Sequence, residues 1–136
     1  MTPSPSTSTL LRRALTADAV LTGATALMLL AGAGFLGGLL GLPVALLRGA
    51  GLSLVPFTAF LVYLLRREHL PRGAAWFVVA CNALWAVDSI LLLFTSWVDP
   101  TRLGYVFVVF QALVVAGFAE MQYVGLRRSP KEAWQG

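Results

Sequence analysis

Four long apolar runs constrain the fold of this chain more than any other feature of its sequence. They cover residues 15–40, 44–65, 74–97 and 103–126, and each reaches the roughly 20 residues that a helix needs to cross a bilayer. Because lipid offers no hydrogen bonds, a spanning segment must pair its own backbone groups, as a helix does. The sequence therefore predicts an all-α polytopic membrane protein, a bundle of four transmembrane helices.

The composition agrees with a membrane protein. Only 12% of the 136 residues are charged and 58% are hydrophobic, whereas a soluble domain carries about 25% charged residues. A chain of this size is one domain, too small to hide so much apolar surface in water. We expect residues 1–13 to form a disordered tail, residues 14–127 the transmembrane domain and residues 128–136 a polar tail.

The basic residues predict the orientation in the membrane. With four spans, both termini and the loop between the second and third runs share one side. That side carries eight basic residues against two on the other, and such an excess marks the cytoplasmic face. Both termini are therefore predicted to be cytoplasmic, in the inner (plasma) membrane of the cell. The eight are Arg12, Arg13, Arg66, Arg67, Arg72, Arg127, Arg128 and Lys131, and the two are Arg48 and Arg102.

Three polar residues inside the runs form the main candidate site. At ~1.5 Å per helical residue, Arg48 is predicted to lie roughly 6–7 Å, Gln111 about 12 Å and Asp88 roughly 13–14 Å from the non-cytoplasmic end of its run. We expect one polar cluster in the outer half of the bundle. It is either a charge-paired clasp, since an unpaired buried charge is costly, or a proton-accepting or cation-binding carboxylate at a cavity.

Asp18, Asn82 and Glu120 are secondary polar candidates. Asp18 and Glu120 lie within about two helical turns of the predicted cytoplasmic interface. We expect both carboxylates to pair there with Arg12, Arg13, Arg66 or Arg127. The alternative is a coupled carboxylate site, in which the two acids converge and share a proton. Asn82 is expected to make an interhelical hydrogen bond.

The first run is rich in small residues. Gly34 with Gly38, and Gly37 with Gly41, have the four-residue spacing that lets helix backbones approach closely. We expect these pairs to pack against neighbouring helices of the same chain, and homodimerisation is the alternative.

A faint internal repeat relates the two halves of the chain. Residues 18–21 resemble residues 82–85 at an offset of 64, and residues 64–67 resemble residues 125–128 at an offset of 61. The match predicts two repeated helical hairpins with the same orientation, a pattern known among transporters.

The sequence carries no recognisable set of catalytic or metal-binding residues. Its one histidine, His69, lies between apolar runs, and its one cysteine, Cys81, lies within a run. Neither has a companion at the spacing of metal ligands. We expect no enzyme activity and no cofactor. The positive charges lie between the runs and not along one helix face, so we expect no nucleic-acid partner.

Five short stretches resemble a type of small bacterial four-helix inner-membrane protein. They are residues 17–23 (ADAVLTG), 47–51 (LRGAG), 82–85 (NALW), 101–104 (TRLG) and 120–123 (EMQY). This resemblance implies four spans but no activity or site. The chain does not resemble the small multidrug transporters, in which a membrane-embedded glutamate is expected in the first helix. The single acidic residue in the first run of this chain is Asp18, close to the start of the run.

Two hypotheses for the function follow. The first is an interaction or accessory protein that packs against itself or a larger membrane complex through its small-residue faces. The second is a small transporter or ligand-binding bundle that uses Arg48, Asp88 and Gln111. The lipid bilayer is a partner in either case.

Overall fold

Four α-helices account for nearly all of the structure, a computed structural model that describes residues 9–68 and 70–128. They are α1 (Thr9–Leu40), α2 (Val44–Arg66), α3 (Arg72–Leu92) and α4 (Arg102–Arg128). Each of the four is long and apolar enough to cross a membrane, which confirms the predicted all-α, four-helix membrane fold.

The helices form a ring with one loose seam. Helix α1 packs closely against α2 and α4, and α3 packs closely against α4. Among the described residues, α2 and α3 do not approach each other as closely. The bundle therefore consists of two antiparallel hairpins joined through α1 and α4, with the seam between α2 and α3.

One end of the bundle, here called the base, is tightly packed. The first residues of α1 and α3 and the last residues of α2 and α4 lie at this end. The connection between α2 and α3 lies at the same end. The rings of Phe60 on α2 and Phe77 on α3 meet edge to face with centroids 5.7 Å apart, which closes the seam at this level. The buried core of the base consists of Leu11, Leu15, Ala19, Leu61, Leu64, Leu70, Ala75, Val78 and Leu126.

Helix α1 begins earlier than predicted. Residues 9–13 are helical, although they were expected to belong to a disordered tail. Leu11 is fully buried, and the Arg12 guanidinium donates hydrogen bonds of 2.8 Å to the carbonyls of Arg67 and Glu68. These bonds satisfy backbone carbonyls at the end of α2 and tie the start of α1 into the base. Arg128, the first residue of the predicted C-terminal tail, belongs to α4. The rest of the two predicted tails, residues 1–8 and 129–136, and His69 lie outside the described residues.

Thr101 joins the other end of the bundle. Its backbone N–H donates to the Leu40 carbonyl at 3.0 Å, and its hydroxyl donates to the Leu39 carbonyl at 2.9 Å. The same hydroxyl accepts a 3.1 Å bond from the N–H of Gly104, so it caps α4. One residue thus satisfies the end of α1 and the start of α4.

Helix α3 ends at Leu92, five residues before the predicted end of its run. Leu93, Phe94 and Thr95 each donate a backbone bond to the carbonyl three residues earlier, at 3.0–3.1 Å, which is the tighter 3₁₀ pattern. The Phe94 and Trp97 side chains beyond it are 83% and 82% exposed. Large aromatic rings at a helix end favour the membrane interface.

The glycine pairs of α1 differ in their surroundings. A Cβ on Gly37 would touch Val44 of α2, whereas nothing lies within 4 Å of a Cβ on Gly34 or Gly38. The prediction of internal packing is wrong for Gly34 and Gly38, because both project from the side of α1 that faces away from α2 and α4.

We predict that Gly104→Ala destabilises the bundle. A Cβ at this position would overlap the Leu40 carbonyl oxygen, so the joint between α1 and α4 would have to move, at a cost of about 1–3 kcal/mol. The measurement is the free energy of unfolding in detergent micelles. Gly117→Ala on the same helix is the matched control, because nothing lies within 4 Å of its Cβ. Equal stabilities of the two variants would contradict the prediction.

Candidate functional site

A cavity of about 840 Å³ lies between the helices on the side of the loose seam. Side chains from all four helices line it, and it is partly open to the surroundings. Its walls are mainly Leu, Val and Phe side chains. The polar members of the lining are Thr22, Thr25, Ser53, Cys81, Asn82, Trp85, Asp88, Ser89 and Gln111.

A buried hydrogen-bonded cluster joins three helices at the edge of this cavity nearest the base. Asp18 of α1 is 1% exposed, Asn82 of α3 is 4% exposed and Gln122 of α4 is 0% exposed. Asp18 Oδ2 accepts a 2.6 Å bond from Asn82 Nδ2 and a 2.8 Å bond from Gln122 Nε2. Asn82 Nδ2 also donates to Gln122 Oε1 at 2.9 Å, so the three side chains form a closed triangle.

A fourth side chain completes the cluster. The hydroxyl of Thr22, one turn after Asp18 on α1, donates to Asp18 Oδ1 at 2.8 Å. The carboxylate therefore accepts three bonds, all from uncharged side chains. Thr22 and Asn82 also line the cavity, so the cluster and the cavity share a wall.

The predicted arginine partners of Asp18 are wrong. Within the described parts of the chain, Asp18 contacts amides and a hydroxyl, and Arg12 instead binds the end of α2. The expectation that Asn82 makes an interhelical hydrogen bond is confirmed. Glu120 is exposed on α4 and takes no part in the cluster.

The structure separates the main predicted cluster into two parts. Asp88 and Gln111 line the same cavity and Arg48 does not. Asp88 is exposed, as Arg48 is, and Gln111 is half-buried. Among the described residues, no ion pair joins Arg48 to Asp88. Because α3 ends at Leu92, Asp88 lies only four residues, about 6 Å, from the helix end. Arg48, near the start of α2, can extend toward the interface without a carboxylate partner.

Gln111 fixes the orientation of an aromatic ring in the cavity wall. Its Oε1 accepts a 3.0 Å bond from the indole Nε1 of Trp85, and its Nε2 donates to the Val108 carbonyl at 2.9 Å. Both ends of the amide are therefore in use. Asp88, one turn beyond Trp85 on α3, makes no hydrogen bond with a described residue.

Sequence reasoning did not select Gln122 as a site residue. The depth of Gln122 in the bundle could have identified it. Asp18, Asn82 and Gln122 lie nine, ten and six residues from the ends of their helices at the base. Three polar residues at similar depth on three helices favour one polar layer, because lipid satisfies none of them.

Comparison with known proteins gives no guide to the site. No protein-family model, no curated protein and no solved structure matches the chain. Within residues 9–68 and 70–128, no group of three or more His, Cys, Asp or Glu side chains is placed to hold a metal ion. The resemblance to small bacterial four-helix proteins stays a prediction.

We predict that Gln122→Leu lowers the free energy of unfolding by about 1–3 kcal/mol, because it removes a donor from a buried carboxylate. The measurement is unfolding of the purified protein in detergent–lipid micelles. Glu120→Gln, two residues away on the exposed side of α4, is the control and should change stability by less than about 0.5 kcal/mol. If Gln122→Leu is as stable as this control, the cluster does not hold the helices together.

Proposed function

We propose that this chain binds a small amphipathic molecule with a basic polar end, which enters the cavity from the bilayer through the seam between α2 and α3. The observation that carries the proposal is the cavity itself. Its volume of about 840 Å³ falls within the roughly 300–1,000 Å³ of ligand pockets in proteins. This is the ligand-binding alternative that the sequence offered, with a different set of residues.

The position of the cavity supports entry from the membrane. The seam is closed at the base by Phe60 and Phe77, and α2 and α3 are not closely packed above that level. The lining is mainly apolar, so an alkyl or aromatic group would exchange a lipid environment for a similar one. With the base on the cytoplasmic side, as the basic residues predict, the open part of the seam lies in the outer leaflet.

The hydrogen bonds already made in the cavity wall favour a ligand that supplies donors. The hydroxyls of Thr25, Ser53 and Ser89 each donate to a carbonyl of their own helix at 2.7–2.9 Å. Two acceptors in the wall, the Asp88 carboxylate and Asn82 Oδ1, accept no bond from a described residue. The unused donors are one N–H of Gln111 and the weak donor of the Cys81 thiol, so the charged group that a ligand meets in the wall is the Asp88 carboxylate.

A protonated amine matches these acceptors. It carries hydrogen-bond donors and a charge opposite to that of Asp88. The aromatic side chains in the wall, among them Trp85, Phe107 and Phe110, add a favourable environment for a cation. We propose binding without a chemical step.

We predict that a long-chain alkyl amine brominated at its chain end quenches Trp85 fluorescence saturably in a Trp76→Phe/Trp97→Phe/Trp134→Phe background, which leaves Trp85 as the single tryptophan. An alcohol of equal chain length should bind about tenfold more weakly, which corresponds to ~1.4 kcal/mol and matches the loss of a charged hydrogen bond. Asp88→Asn should remove the preference for the amine. Trp85→Phe should remove the quenching signal without removing binding.

Two matched variants on α2 test the location. Ala50 lines the cavity and Leu52 does not, since Leu52 is 62% exposed. Ala50→Phe should block binding of both probes, whereas Leu52→Phe should leave it unchanged. Unchanged binding in Ala50→Phe would contradict the proposed site, and equal affinity of the parent protein for amine and alcohol would contradict the role of Asp88.

The second candidate function is that of an interaction or accessory membrane protein. The observation that favours it is the open space around Gly34 and Gly38 on the outward side of α1, where a second helix could approach closely. The occupant that we propose is a second copy of this chain.

We predict energy transfer between donor- and acceptor-labelled copies in liposomes if this second function holds. Gly38→Leu should abolish the transfer because its side chain keeps the facing helix away. Gly49→Leu on α2, where nothing lies within 4 Å either, should leave the transfer unchanged. Transfer no greater than that of unassociated proteins at the same density would exclude the dimer.

A further inference from the structure

We infer that Asp18 is a proton-binding site, and that Asn82 and Gln122 translate the binding of a proton into a change in the packing of the helices beside the cavity. The site is separate from Asp88. Proton binding by Asp18 does not depend on the proposed ligand, and only its coupling to ligand affinity rests on the proposed function.

Asp18 is a buried acid that no cationic side chain of the described residues neutralises. It is 1% exposed, and an ionisable residue at depth in a membrane helix is costly to keep charged. Its three partners, Thr22, Asn82 and Gln122, carry no charge. A proton is the one species that removes the charge without adding an ion to a filled site.

No other titratable or charged side chain substitutes for these partners. None of those on the surrounding helices makes an ion pair or hydrogen bond with Asp18 among the described residues. They are Arg12 and Arg13 on α1, Arg48, Tyr63 and Arg66 on α2, Arg67 directly after α2, Arg72, Cys81 and Asp88 on α3, and Arg102, Tyr105, Glu120, Tyr123 and Arg127 on α4.

The geometry accommodates both protonation states of Asp18. The contact between Asp18 Oδ2 and the Asn82 amide is 2.6 Å, shorter than the 2.7–3.2 Å usual for N–H···O bonds and within the range of about 2.5–3.0 Å for O–H···O bonds. Rotating an amide by 180° exchanges its nitrogen and oxygen. After that rotation, Asn82 Oδ1, which accepts no bond from a described residue, can accept the proton of a neutral Asp18.

Proton binding also changes how many helices Asp18 holds. The charged form accepts from both amides and so joins α3 and α4 to α1. The neutral form has one O–H group. If both amides rotate, the hydrogen bond between Asn82 and Gln122 is preserved and both amide oxygens face Asp18. The single O–H can then donate to only one of these two oxygens. The other contact, of 2.6 or 2.8 Å now, must lengthen because two oxygens without a proton between them repel each other.

The loosened contact borders the cavity. Asn82 and Thr22 belong to both the cluster and the cavity wall, and Cys81, next to Asn82, lines the same cavity. Both amide nitrogens point at Asp18 Oδ2 in this structure, whereas a metal cation would need both amides to turn their oxygens toward it. The comparison of buffers with and without sodium, below, separates a proton from a metal cation.

The direct test uses the fact that the chain has three aspartates, Asp18, Asp88 and Asp99. In the double variant Asp88→Asn/Asp99→Asn, carbon-13 in the aspartate side-chain carboxyl reports on Asp18 alone by nuclear magnetic resonance. We expect its resonance to move with pH between the carboxylate and carboxyl positions without change in sodium-containing or sodium-free buffer. A resonance that stays fixed while the protein remains folded would overturn the proposal, as would one that moves with sodium at constant pH.

The coupling is measured with the native thiol. The rate of Cys81 modification by a small maleimide is compared at each pH between the parent protein and Asp18→Asn, after each rate is divided by the thiolate fraction measured in the same protein, because the charge of Asp18 itself affects ionisation of the thiol. We expect the two rates to differ by about fivefold at high pH, a change equivalent to ~1 kcal/mol, and to converge at low pH. A constant ratio would separate Asp18 from the cavity. Neither measurement uses a ligand, so failure of the proposed amine binding leaves both results interpretable.

Discussion

The Asp18 carboxylate accepts hydrogen bonds from side chains on α1, α3 and α4, and the architecture of the bundle depends on this arrangement. A bilayer gives a buried carboxylate no water, so the donors must come from the protein. Asn82 and Gln122 supply them from two other helices and follow Asp18 in the sequence by 64 and 104 residues. The resulting layer fixes the depth of three helices relative to one another, which apolar packing in lipid specifies only weakly.

Helix α2 has no part in that layer, and the consequences extend to the cavity. It is held by its packing against α1 and by the base, where Arg12 binds its terminal carbonyls. Toward the other end, no hydrogen bond between described residues joins α2 to α3, and the cavity lies between these helices. The polar side chains that form the cluster lie on α1, α3 and α4 and not on α2. This uneven distribution accounts both for the buried cluster and for the open seam beside α2.

The sequence predicted the four helices because the length and polarity of a spanning segment follow from the bilayer alone. It missed the end of α3, since Phe94 and Trp97 are as apolar as the helix before them and only the 3₁₀ turn separates them. The polar residues were found, but their pairing was not. Depth alone suggested Arg48 with Asp88, whereas the pairing also depends on which face of each helix points inward. Gln122 and Asp18 meet because α1 and α4 pack closely, and this adjacency is not written in the apolar pattern of either helix.

The most direct test of this account measures the separation of α2 and α3 at two depths. Spin labels at Tyr63 on α2 and Ala74 on α3 lie near the base. Labels at Ser53 on α2 and Leu84 on α3 lie at the level of the cavity, about ten residues, or ~15 Å, farther from the base. Pulsed dipolar spectroscopy on the two pairs, in a Cys81→Ser background in lipid nanodiscs, compares the distances. The account predicts a clearly longer distance for the pair at the cavity than for the pair at the base. Equal distances would mean that the seam is closed along its length and would contradict the cavity on which the proposed function depends.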